Sequence, residues 1–268
     1  MTAFGLAESV RLTRAAMAGG REVALAVVVA GPPELLGRRL AWDGERLHGS
    51  LGDPAADGAA RSALAGAGES PATVRVGDSG LDLYVERIVP PFELVIVGAG
   101  HIAVPLASIG SLLGWRVTVL DDRPEFARAE RFPDADRVIV ADFADPFAGI
   151  PIGPRTRLVL VTRGHRYDYD CLRALAAMGA EPAYVGMIGS RRRVRAAFEM
   201  LAGEGFAAEW LARVRAPIGL DVEAQTPAEI AVAVAAEMIQ AERGGTGRPL
   251  RDVEDVVRYV KALRPAED

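Results

Sequence analysis

Leu94-Val95-Ile96-Val97-Gly98-Ala99-Gly100-His101-Ile102-Ala103 decides how this chain is read. An aliphatic run bounded by glycine predicts a buried strand, and the apolar helical pattern that follows predicts a helix straight after the turn. Gly98 permits a sharp bend, Gly100 lets the backbone approach a pyrophosphate, and Ala103 stands where a third glycine often lies. A helix starting there points free N–H groups and its positive dipole end at an anion. Arg116-Val117-Thr118-Val119-Leu120 reads as a second strand and ends in Asp121-Asp122, about twenty residues past the first glycine, where a dinucleotide-binding unit keeps its ribose acid. Asp121 follows the strand directly and is the favoured ribose ligand, since Asp122 would point to the opposite side.

Working outward, strands are expected at Arg137–Val140, Arg157–Val161 and Ala183–Met187, alternating with helices. That texture implies a parallel, doubly wound sheet. Thr226-Pro227-Ala228-Glu229 is a capping box with proline at the first helical position; it opens an apolar helix running to Ala241, which Gly244-Gly245 closes. Upstream of Pro90-Pro91 the pattern is different. A helix over 1–19, a β-rich Glu22–Ala30, a hairpin of Arg38–Trp42 and Glu45–His48 around Asp43-Gly44, a helix over Ala55–Ala65, and strands Val74–Val76 and Leu81–Ile88 about a turn at 77–80 make an α+β module. The fold class is therefore α/β, a C-terminal doubly wound Rossmann-like parallel sheet with a smaller N-terminal α+β domain. The expected divisions are 1–90, 92–245 and a tail, 246–268, with a short helical pattern around Val253–Leu263.

Composition removes several chemistries. A net charge of −5 leaves no basic footprint for nucleic acid. No apolar run is long enough to span a bilayer, and the first residues lack the organisation of a secretory signal, so a cytoplasmic address is expected. Cys171 is the single cysteine, which excludes an internal disulfide and a thiolate metal cluster and suits a small buried side chain. Lys261 is the single lysine, which argues against Schiff-base catalysis and a lysine-bearing phosphate loop. Cationic work falls to arginine.

Two further segments lie where open α/β sheets bind ligands, beyond the carboxyl ends of strands. In Thr162-Arg163-Gly164-His165-Arg166-Tyr167-Asp168, His165 and Asp168 are three apart and could face one another on an early helical turn, or Asp168 could simply favour the helix dipole. In Gly189-Ser190-Arg191-Arg192-Arg193 a serine cap opens a helix and three arginines follow, a charge that disfavours the helix unless an anion compensates; a solvated basic face is the alternative. His101, inside the glycine turn, could touch a phosphate or a base, or serve only as a hydrogen-bonding group. Pro217-Ile218-Gly219-Leu220-Asp221 has the look of a shaped loop that could close over a ligand. No catalytic triad, paired acids or metal-ligand spacing emerges.

The run from Leu94 to Glu237 resembles the XdhC/CoxI family. The resemblance rests on Val97-Gly98-Ala99-Gly100-His101-Ile102, Asp121-Asp122-Arg123, Thr162 through Asp170, Tyr184 through Arg193, Ala216 through Asp221, and Thr226 through Ala231. It implies a maturation factor for molybdenum hydroxylases such as xanthine dehydrogenase or carbon monoxide dehydrogenase: a carrier, not a catalyst, that binds molybdenum cofactor, as molybdopterin or its dinucleotide form, helps a cysteine desulfurase to sulfurate it, and delivers it to the hydroxylase apoenzyme. A second copy of the chain is a further expected partner. On this reading Gly98, Gly100 and His101 hold one phosphate, Asp121 a ribose, and Gly189, Ser190, Arg191 and Arg192 a second anionic group, with Thr162, His165 and Asp168 lining the mouth. The N-terminal module departs from the family, which carries a Ser-Ser-Pro-Arg type turn and a Gly-Ser-Ile-Gly-Gly-Gly-Cys run. Here the corresponding stretches are Ala30–Gly37 and Gly49–Pro54, and the cysteine is absent. Two other readings stay open: an NAD(P)-dependent oxidoreductase with His165 as proton donor, and an interaction module with no small ligand.

Overall fold

In the computed structural model, which describes residues 4–68, 71–76 and 80–253, the chain divides into two units, Met1–Pro90 and Pro91–Asp268. The first unit contains α1 (Leu6–Ala18), β1 (Val23–Ala30), β2 (Arg39–Trp42), β3 (Leu47–Gly49), α2 (Pro54–Ala65), β4 (Ala72–Val76) and β5 (Leu81–Ile88). Its strands form one antiparallel sheet in the order β3-β2-β1-β5-β4. Alternation along β1 separates two faces. Ala24, Ala26 and Val28 join Leu83, Val85, Ala60 and Leu64 beneath α2, whereas Val23 packs with Ala41 and Ala16 of α1. The β2–β3 hairpin is closed by Asp43, whose buried carboxylate accepts from the N–H groups of Glu45 (3.1 Å) and Arg46 (3.0 Å) and lies 2.8 Å from His48 Nε2. Those bonds hold its carboxyl well below the usual range, the Arg46 N–H foremost and against the cost of burial.

The second unit alternates strand and helix: β6 (Glu93–Val97), α3 (Ala103–Leu112), β7 (Arg116–Asp121), β8 (Arg137–Val140), β9 (Thr156–Leu160), α4 (His165–Ala177), β10 (Tyr184–Met187), α5 (Arg191–Gly203), α6 (Ala208–Leu211), β11 (Val214–Arg215) and α7 (Pro227–Arg243). All neighbouring strands are parallel, in the order β8-β7-β6-β9-β10-β11. This is a doubly wound sheet whose strand order reverses between β6 and β9. Its strands are nearly continuously apolar because both faces are covered. Val95, Leu158, Leu160 and Val185 meet α4 and α5 on one face; Leu94, Ile96 and Val159 meet α3 and α7 on the other. β11 was not among the expected strands. With two residues it carries no periodicity by which a sequence could announce it.

The capping box of α7 forms as its sequence predicts: Glu229 N–H donates to Thr226 Oγ1 at 3.2 Å, Thr226 N–H to Glu229 Oε2 at 2.9 Å, and Gly244 ends the helix in a left-handed conformation. The helical pattern expected around Val253–Leu263 lies outside the described residues apart from Val253, which ends a single turn, α8 (Leu250–Val253). Among the described residues no helix is long and apolar enough to cross a membrane.

Candidate functional site

The point where strand order reverses leaves a crevice beyond the carboxyl ends of β6 and β9, the usual ligand position in an open parallel sheet. Gly98 enters it at φ +104°, and a Cβ there would lie 2.6 Å from the Val161 carbonyl oxygen and 2.9 Å from Thr162 Cα. Only glycine fits. The next residue is pinned at both ends: Ala99 N–H donates to Asp121 Oδ2 at 2.8 Å, and its carbonyl accepts from Arg131 Nη1 at 2.8 Å. Gly100 is the opposite case. A Cβ added to it would meet nothing within 4 Å, and among the described residues no backbone acceptor meets the N–H of Gly100 or His101. His101 itself is exposed. The turn is thus rigid where it touches the sheet and open where a ligand would approach.

Both acids at the end of β7 are engaged by arginine. Asp121, the acid expected at the ribose, is buried and accepts from Ala99 N–H, Arg123 N–H (3.0 Å), Arg123 Nε (2.9 Å) and Arg123 Nη2 (3.0 Å). Burial alone would raise its carboxyl, but the Arg123 fork and the two backbone N–H groups outweigh it and hold the group at about 2. Arg123 in turn lies 3.6 Å above the Phe126 ring, with Arg131 5.0 Å from the same ring. Asp122 makes a two-point pair with Arg163, Oδ1 to Nη1 at 2.9 Å and Oδ2 to Nη2 at 2.8 Å. Arg163 also bonds the Tyr167 hydroxyl.

A cavity of about 300 Å³ opens between the ends of β9 and β10. It brings together four of the expected residues, Thr162, Asp168, Gly189 and Ser190, and adds Arg163 and Arg193. Thr162 Oγ1 lies 2.7 Å from Asp168 Oδ1, which fixes the buried carboxylate at the wall. Ser190 caps α5 through the Arg193 N–H at 3.4 Å. Arg191 and Arg192 are exposed and do not line the cavity, because the first turn of α5 carries them outward. His165 opens α4, and its side chain is outside the described part of the structure. Cys171 is fully buried, and burial pushes its thiol far up, so it is a core side chain.

The Pro217–Asp221 loop is held down. Ile218 N–H donates to Met187 O at 3.1 Å, Gly219 N–H to Glu237 Oε2 at 2.6 Å, and Leu220 N–H to Ala233 O at 3.2 Å. Ile218 fills the space over Gly186, where a Cβ would collide with it. Glu237 also receives the Tyr184 hydroxyl at 2.8 Å. These two residues border a larger cavity, about 620 Å³, together with Ala183 at the amino end of β10 and Val214 of β11. Their polar atoms are already paired with the fold. Arg193 belongs to the arginine run expected to meet an anion, whereas Arg163, Arg131 and Glu237 were given no site role. No spacing rule marks these last three, because their roles depend on which strands lie side by side.

The XdhC Rossmann domain family matches residues 94–238. The chain belongs to this family. It is 32% identical over 157 residues to the uncharacterized protein YqeB of Escherichia coli, covering 58% of this chain and 28% of that one. It is 30% identical over 166 residues to a probable xanthine dehydrogenase subunit of Bacillus subtilis, covering 62% of this chain and 48% of that one. The chain therefore spans less than half the length of these relatives. A crystal structure of a xanthine dehydrogenase from Bacillus halodurans superposes with a TM-score of 0.66 at 24% identity, over 90% of this chain and 69% of that one, a likeness of fold. In this XdhC Rossmann domain the glycine turn, both aspartate–arginine pairs and the cavity at Ser190 all fall within the matched stretch.

Proposed function

We propose that the protein is a carrier of a phosphorylated cofactor, the molybdenum cofactor as molybdopterin or its dinucleotide form, which it supplies to a molybdenum hydroxylase apoenzyme during maturation. The observation that carries this reading is the glycine turn. Its backbone is locked by Gly98 and Ala99 and open at Gly100, whose N–H, like that of His101, meets no backbone acceptor among the described residues. Such a turn suits a phosphate. Gly100 and His101 would receive one phosphate and Ser190 and Arg193 a second anionic group, with Thr162 and Asp168 walling the cavity between β9 and β10. When bound, the cofactor supplies a molybdenum–dithiolene centre for oxygen and sulfur chemistry in the target enzyme; this chain contributes binding and shielding. The thiol of Cys171 is enclosed in the core, so sulfur delivery on this reading belongs to the cysteine desulfurase partner.

The NAD(P)-dependent oxidoreductase is the second reading, because a nicotinamide dinucleotide carries a pyrophosphate suited to the same glycine turn. The two readings separate in one experiment. The purified chain is titrated with reduced nicotinamide nucleotide, and separately isolated from cells grown with molybdate and assayed for molybdenum, pterin and activation of an apo-hydroxylase. The carrier reading expects bound cofactor, hydroxylase activation and no nicotinamide fluorescence change; nicotinamide binding without molybdenum would overturn it.

A further inference from the structure

Val97 pairs with Leu120 of β7 on one side and with Leu160 of β9 on the other, so Asp122 and Arg163 extend from strands that run about 10 Å apart, two inter-strand spacings with β6 between them. Their side chains close that gap through two N–H···O bonds of 2.9 and 2.8 Å. The ion pair therefore arches over the end of β6, where the Gly98–Gly100 turn begins. Arg163 also borders the cavity between β9 and β10. One side chain thus links Asp122, across the end of β6, to the cavity that Ser190 and Arg193 line.

The two neighbouring aspartate–arginine pairs differ in kind. Asp121 is sealed, with 4% of its side chain exposed and four donors around it, and its hold on Arg123 belongs to the turn. Asp122 and Arg163 keep 28% and 37% of their side chains exposed, and each can be reached from solvent. An exposed pair of this kind adds little to stability and is exchanged readily. Arg163 also has support independent of Asp122. It stacks on Tyr167 at 4.6 Å and bonds that hydroxyl, and the ring is backed by Phe143 at 4.8 Å. The two-point geometry that a carboxylate accepts from a guanidinium is the one a phosphate accepts.

Resting on the phosphate-binding role proposed above, we infer that Asp122 is a stand-in for a ligand phosphate. It holds the Arg163 fork in place until a pyrophosphate-bearing nucleotide seated at Gly100 takes that fork and displaces the carboxylate. Arg163 is then the residue that selects a dianionic or pyrophosphate group over a single weak anion, because a ligand has to outcompete a built-in carboxylate.

The test is calorimetric titration of the full chain with ADP and with inorganic pyrophosphate, using wild type, Asp122→Asn, Arg163→Gln and the double variant, each checked for an unchanged melting curve. Removing the competing carboxylate is expected to tighten ADP binding about fivefold, and removing the fork to weaken it about tenfold or more. The gain from Asp122→Asn is expected to vanish in the Arg163→Gln background. Unchanged or weaker binding by Asp122→Asn would overturn the assignment, the latter by making Asp122 itself a ligand-holding group. So would a gain that persists without Arg163, which would reflect net charge alone. Failure of all four proteins to bind either probe would overturn the phosphate-binding reading and this role with it.

Discussion

Gly98 and Gly100 are two residues apart and have opposite duties. At Gly98 the left-handed φ and the contact with Val161 forbid a side chain for reasons of fold. Gly98→Ala is expected to lower stability by about 3 kcal/mol, read as a fall in the urea midpoint. At Gly100 the backbone is unstrained and the space is empty, so a bulky residue is expected to leave that midpoint unchanged. Sequence spacing assigned the bend to Gly98 and the ligand approach to Gly100, but the close contact of Gly98 with Val161 and Thr162 was not legible, since it depends on how closely the end of β9 approaches. The same limit applied to Asp121. Its place after a strand was legible; its capture by Arg123 was not, because a side chain two residues on can turn inward or outward. The depressed carboxyl gives a pH signature. Asp121 titrates at about 2 in the folded protein against 3.8 without its partners, so its stabilisation is complete above about pH 4 and is lost as pH falls toward 2. Asp43 acts in the same direction. Asp121→Asn is expected to lie below wild type at pH 7 and to lose less stability between pH 4 and pH 2, as measured by urea unfolding across that range.

Among the elements, those with a strong local signal were legible. The strand at Leu94–Val97, the capped helix at Pro227 and the Asp43 hairpin each follow from periodicity or turn chemistry that the surrounding fold did not override. Elements held by distant partners were not. β11 exists because Val214 and Arg215 find the edge of β10, and the Pro217–Asp221 loop is fixed because Glu237 of α7 reaches Gly219 N–H and the Tyr184 hydroxyl. Two substitutions on α7 compare these contributions. Thr226→Ala removes one cap bond and is expected to cost about 1 kcal/mol. Glu237→Ala strips partners from the buried Tyr184 hydroxyl and the half-buried Gly219 N–H and is expected to cost about 3 kcal/mol, both read from chemical unfolding. The larger effect at Glu237 would mark the loop as part of the folded framework and not a lid.

At the scale of the whole molecule the two units have different prospects. The second carries the family match and every residue of the candidate site; the first lacks the cysteine run that the family resemblance led one to expect. A ligand that binds at Gly100 stabilises the folded state by mass action, about 2.7 kcal/mol at a concentration a hundredfold above Kd. Hydrogen exchange with and without ADP is therefore expected to slow at Gly100, His101 and Ser190. The most direct test of the carrier role compares wild type with Gly100→Leu, both produced with molybdate and purified without added cofactor. Wild type is expected to retain molybdenum and pterin, and the variant to melt at the same temperature with neither. Equal retention by a folded Gly100→Leu protein would contradict the assignment of the glycine turn as the cofactor's seat.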